Sequence, residues 1–83
     1  MTKELTLYST EGCHLCEMAS ELLHRVGLSQ QFDIIDIAFN DELFSRYGVT
    51  IPVISYGSSE LNWPFDIHQL TQWLNLNGIT YHS

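Results

Sequence analysis

The sequence predicts an α/β domain, a four-stranded mixed sheet flanked by three helices in the order β-α-β-α-β-β-α. Three observations carry this. The apolar period is two over Leu5 to Tyr8, becomes helical after Cys13, and gives way to a short apolar run from Phe32 to Ile37. That strand, helix and strand fill about 34 residues, the size of a βαβ unit with a right-handed crossover. Further on, Gly57-Ser58 divides two short runs into a hairpin, and Asp66 opens a last helix.

Each element has a local reason. Leu5 and Leu7 alternate with Thr6 and Tyr8, as in a strand. Ser9-Thr10-Glu11-Gly12 reads as a loop, in which Gly12 lets the backbone approach the cysteines closely. Leu15, Met18, Ala19, Leu22, Leu23 and Val26 form an apolar stripe at helical spacing, and Gly27 stops the helix. In the second strand Ile34 and Ile35 point to opposite faces, so both faces are expected to be covered. Asn40 caps a short helix with Asp41 and Glu42 in its first turn, Leu43, Phe44 and Tyr47 facing inward, and Gly48 at its end.

A third strand is expected over Val49 to Tyr56, interrupted by Pro52, which cannot donate to a ladder. The fourth runs from Glu60 to Trp63. Asp66 and Gln69 have capping-box spacing, and Phe65 and Leu70 that of a hydrophobic staple. Ile67, Leu70, Trp73 and Leu74 then face the sheet, with Gly78 ending the helix and Ile79 to Ser83 forming a tail.

The 83 residues make a single domain, 1–83, near the lower limit for a self-sufficient core. Two cysteines are too few for the disulfide framework of a small secreted domain. The start of the chain has no signal-peptide pattern, and no apolar run is long enough to span a membrane. The expectation is a monomer in the reducing cytoplasm. The net charge of −7, with Lys3, Arg25 and Arg46 as the fixed cations, disfavours nucleic acid and anionic membranes. A neutral or basic protein partner fits better.

Cys13-His14-Leu15-Cys16, opening the first helix of the βαβ unit, resembles the redox motif of the thioredoxin fold. With Tyr47-Gly48-Val49-Thr50-Ile51-Pro52 and the hairpin leading to Asp66, the chain is similar to the glutaredoxin-like family over nearly its whole length. The resemblance implies a cis Pro52 beside the redox pair, with the Thr50-Ile51 backbone pairing with an incoming substrate. It also implies that Trp63 and Asp66 border the place where glutaredoxins hold glutathione. Two departures stand out: His14 replaces the usual Pro, and Asn62-Trp63-Pro64 replaces a Gly-Gly pair. A bulky indole where the tripeptide normally approaches, and few cations, weigh against glutathione as reductant. No bound cofactor is required.

The chemistry then divides the pair unequally. Residues three apart on a helix lie about 5–6 Å from each other, inside the roughly 4.4–6.8 Å that a disulfide tolerates. Cys13, at the helix's positive end, is the expected nucleophile, and Cys16, beside the apolar stripe, the resolving thiol. A protonated His14 would favour the Cys13 thiolate; Glu11 and Glu17 oppose it. The reading is a thiol–disulfide oxidoreductase acting on protein disulfides, recycled by an unidentified reductant. The alternatives are a non-catalytic interaction module, two inert core cysteines, or a metal or iron–sulfur module. A zinc site would want a second ligand pair, and His24, His68 and His82 are scattered singly.

Overall fold

A computed structural model describes residues 5–29 and 31–79. The order is β1 (Leu5–Ser9), α1 (His14–Arg25), β2 (Phe32–Asp36), a 3₁₀ turn (Ile37–Phe39), α2 (Asp41–Tyr47), β3 (Val53–Tyr56), β4 (Ser59–Asn62) and α3 (Ile67–Leu76). The expected α/β architecture is present: a four-stranded mixed sheet with three α-helices. Strand order is β2-β1-β3-β4, with β2 parallel to β1 and the other pairs antiparallel. Glu4, Lys3, His82 and all of the expected tail except Ile79 lie outside the described residues.

Alternation along the strands sorts side chains onto two sheet faces. Leu5, Leu7, Phe32 and Ile54 pack with Ala19, Leu23 and Val26 of the α1 segment and Leu70, Trp73 and Leu74 of α3. On the other face Tyr8 and Val53 meet Ile37 and, from α2, Leu43 and Tyr47. The helices therefore lie two on one side and one on the other. At the register Leu7↔Ile54 and Tyr8↔Val53, adjacent residues feed the two cores separately.

Several expectations change once the elements are assembled. β2 lies at the edge of the sheet and its faces are not both covered: the helices pack over the central strands, Ile34 remains 58% exposed and Ile35 is also open. The strand stops at Asp36 because its carboxylate accepts the Ala38 N–H at 2.9 Å, starting the 3₁₀ turn that buries Ile37. In α1 the buried positions are Cys16, Ala19 and Leu23, while Leu15 and Met18 are exposed. The helix is thus rolled so that Cys16 joins the inward face.

In α2, capped as expected by Asn40, Tyr47 is buried but Phe44 is 59% exposed. Seven residues give one narrow inward face. Gly48 follows with right-handed backbone, so glycine is not there for a left-handed turn. A Cβ at this position would stand 2.6 Å from the Phe44 carbonyl oxygen.

The third strand begins at Val53, four residues later than expected. Thr50 and Ile51 both donate their N–H groups to the Tyr47 carbonyl, and Pro52 has none, so no ladder can start before Val53. The fourth strand ends at Asn62; Trp63 N–H still reaches the Pro52 carbonyl, but Pro64 offers no donor to continue. At α3 the capping box is complete: Gln69 N–H donates to Asp66 Oδ1 at 2.8 Å and Asp66 N–H to Gln69 Oε1 at 2.9 Å. Phe65 and Leu70 are both buried beside it.

Candidate functional site

The register gathers the candidate residues at one end of the sheet. β1 leaves this end into the loop that carries Cys13, β3 enters it just after Pro52, and β4 leaves it at Trp63. Gly12, at φ +78°, makes the turn between β1 and the cysteines, a conformation that favours glycine. Cys13 is the N-cap of α1, its N–H bonded to the Thr10 carbonyl at 3.3 Å.

Cys13 and Cys16 are joined as a disulfide, with Cα atoms 5.2 Å apart. Cys13 Sγ also accepts the Cys16 N–H at 3.2 Å. A helix start leaves its first N–H groups without intrahelical partners, and here a sulfur takes one of them. The two sulfurs differ in access: Cys16 is 4% exposed, whereas Cys13 is half-buried. His14 points to solvent, its side chain 83% exposed and its Nδ1 3.8 Å from a Glu17 carboxylate oxygen.

The pair lines a cleft of about 440 Å³ whose walls include Glu11, Glu17, Glu21 and His24. Trp63 and Asp66 line a different one, about 460 Å³, with Met18, Arg25 and Phe65. The two clefts flank α1, and Glu21 contributes to both. The Trp63 indole packs edge-on against Phe65, centroids 5.0 Å apart. The exposed Asp66 carboxylate is already engaged as the helix cap.

Ile51–Pro52 is a cis peptide bond, and so is Trp63–Pro64, which sequence reading missed because a cis X-Pro carries no reliable local signature. Sequence reading also missed the polar contact beneath the Pro52 loop. Tyr47, buried at the end of α2, donates its hydroxyl to Glu60 Oε2 on β4 and stacks on Tyr8. The hydrogen bond to Glu60, with burial and the nearby carboxylate charge, raises the Tyr47 phenol to about 12. The aromatic before Gly48 was visible in the chain; its partner thirteen residues away was not. Among the described residues no group of three or more His, Cys, Asp or Glu is placed to hold a metal ion, and no helix is long and apolar enough to cross a membrane.

Residues 4–75 match the model of the glutaredoxin-like domain (DUF836). The crystal structure of the structural-genomics target protein XcR50 from X. campestris is 38% identical, with a TM-score of 0.80 over 87% of this chain and 96% of that one. Its solution structure gives 36% identity and a TM-score of 0.78, over 96% and 99%. A malarial protein of known structure shares the fold at 15% identity and a TM-score of 0.57, over 92% of this chain and 97% of its own. No functionally curated protein matches. With the family model spanning strand, C-x-x-C helix, Pro52 segment and hairpin alike, the chain belongs to the glutaredoxin-like domain (DUF836) family.

Proposed function

We propose that the protein is a thiol–disulfide oxidoreductase that reduces protein disulfides through Cys13 and Cys16. The observation that carries this reading is the asymmetry of the pair: an accessible sulfur holding an α1 N–H, linked to one that is 4% exposed. Reduction of the pair leaves Cys13 where a thiolate receives the Cys16 N–H and the helix's positive end. That thiolate attacks one sulfur of a substrate disulfide; a Cys13–substrate disulfide forms, and the other substrate sulfur leaves as a thiolate and is protonated. Cys16, deprotonated, then attacks Cys13 Sγ and expels the second substrate thiolate. Two electrons pass to the substrate, and the Cys13–Cys16 disulfide awaits an external thiol reductant.

His14, beside Cys13 in sequence, assists only when protonated, and Glu17 competes for it at 3.8 Å. The Thr50-Ile51 segment offers the substrate backbone a rail. Its N–H groups are taken by Tyr47, so the rail presents carbonyl acceptors to the substrate's donors. Among the described residues the groove beside Trp63 and Asp66 has Arg25 as its one cation, poorly matched to the two carboxylates of glutathione. Recycling by another thiol donor fits this groove better.

The test replaces each cysteine by Ser. Cys16→Ser, offered a disulfide-bearing protein, accumulates a mixed disulfide through Cys13, whereas Cys13→Ser neither traps nor reduces. Equal residual activity in the two variants would remove the assigned roles.

A further inference from the structure

Tyr47 is held on three sides. Its ring lies on Tyr8, centroids 4.5 Å apart and planes 15° from parallel. Its hydroxyl donates to Glu60 on β4. Its backbone carbonyl accepts Thr50 N–H at 3.0 Å, Ile51 N–H at 3.1 Å and Thr50 Oγ1–H at 3.3 Å. A carbonyl oxygen has two lone pairs, so this acceptor is saturated by the loop that follows it.

The residues it captures lead into Pro52, and the next residue, Val53, stands opposite Tyr8. Two residues beyond Tyr8, the Thr10 carbonyl holds the Cys13 N–H. Tyr47 therefore ties the strand that feeds the redox pair to the loop that enters the same sheet end. Val49 is 98% exposed and Thr50 is open to solvent, while Ile51 packs on the small second core. The far end of the loop is fixed separately by the buried Pro52, whose carbonyl accepts Trp63 N–H at 3.1 Å, so the Tyr47 carbonyl is what holds its Thr50-Ile51 portion. α2 itself is short, so its C-terminal end depends on side-chain anchors to keep its place over the sheet.

We infer that Tyr47, clamped by Tyr8 and Glu60, is a positioning residue that sets the Thr50-Ile51 backbone for a peptide disulfide approaching Cys13. This rests on the oxidoreductase reading above. A small disulfide needs only the Cys13 sulfur and is indifferent to the loop. A peptide disulfide must lie along the loop, where misplacement by about an ångström costs up to about a hundredfold in rate. Loss of one anchor of the clamp should cost the peptide reaction about five- to tenfold.

The experiment compares second-order rates of the pre-reduced protein with 2,2′-dipyridyl disulfide and with a disulfide-bridged octapeptide. Tyr47→Phe keeps the ring stack and removes the hydroxyl. Glu60→Ala removes the acceptor from an exposed strand position and keeps the comparison open should the core variant fail to fold. Glu60→Gln retains an oxygen acceptor. The expected result is a peptide rate five- to tenfold lower in the first two and near wild type in Glu60→Gln, with the dipyridyl rate unchanged in all three. Peptide rates equal to wild type in Tyr47→Phe and Glu60→Ala would overturn the inference, and so would equal losses on both substrates. Wild-type protein inert toward both disulfides would instead overturn the oxidoreductase reading, and this one with it.

Discussion

At the start of α1 a sulfur stands where helices usually place a Ser, Thr, Asp or Asn oxygen. The same atom belongs to the disulfide, so the helix cap and the redox centre coincide at Cys13. Three residues on, Cys16 is buried because α1 turns that face toward the sheet with Ala19 and Leu23. Tyr47 is the other residue whose chemistry depends on its surroundings. Its hydroxyl is a donor to Glu60, and ionising it would place a phenolate against a carboxylate, which is why it is raised to about 12. In the unfolded chain tyrosine titrates near 10, so the folded state binds this proton more tightly. The contribution is whole below about pH 10 and is lost as pH rises through 10 to 12. A tyrosinate absorbance titration of wild type minus Tyr47→Phe should show a midpoint near 12. A midpoint near 10 would mean that the Glu60 bond does not persist in solution.

Among the elements, α3 has the most complete local specification. Its capping box, with Phe65 and Leu70 packed beside it, starts the helix regardless of any ligand. Asp66→Ala should therefore cost about 1 kcal/mol, a fall in Tm of roughly 4–8 °C for a domain of this size. Asp66→Asn, which keeps an oxygen acceptor, should lose much less. Thermal unfolding by circular dichroism reads both; an unchanged melt for Asp66→Ala would mean that the cap contributes nothing. α2 is specified less completely. Asn40 caps it, but its seven residues bury Tyr47 and leave Phe44 outside, so its placement comes from Leu43 in the second core, the Tyr8 stack and the Glu60 bond. β2 shows the limit of composition as a guide. Phe32 to Ile37 reads as a strand covered on both faces, yet the strand ends at Asp36 with Ile34 and Ile35 exposed.

For the whole molecule, the net charge of −7 has a local expression at the redox pair. Glu11, Glu17 and Glu21 line the cleft that holds both cysteines, and among the described residues that lining includes neither Lys nor Arg. Carboxylates grouped around an open site steer cationic partners and repel anionic ones, over a Debye length of about 10 Å at 0.1 M salt. Two peptide disulfides that differ only in flanking Lys or Glu should react with the reduced protein at rates about tenfold apart at low salt. Stopped-flow rates should converge as salt approaches about 0.5 M. Equal rates at low salt would show that the carboxylates do not act on the encounter.

What the sequence determined by itself is whatever depends on near neighbours along the chain. Cys13 and Cys16, three apart at a helix start, fall within disulfide reach whatever the sheet does. Asp66 and Gln69 complete a cap inside one helical turn. The switch of apolar period marks β1, α1 and β2, and together these yield the α/β class and the family. Tertiary structure decided the features that depend on strand order and helix rotation. With β1 and β3 in the middle, β2 becomes an edge, and the helices packed over the central strands leave Ile34 open. Only pairing of β4 with β3 on the correct register turns Glu60 to the face where Tyr47 lies. The Tyr47 carbonyl, together with the missing N–H of Pro52, keeps Thr50 and Ile51 out of the expected strand. Local rules act through hydrogen bonds and packing within a turn or two; register and face are chosen by the whole core at once, because a one-residue slip exchanges every side chain between the two faces.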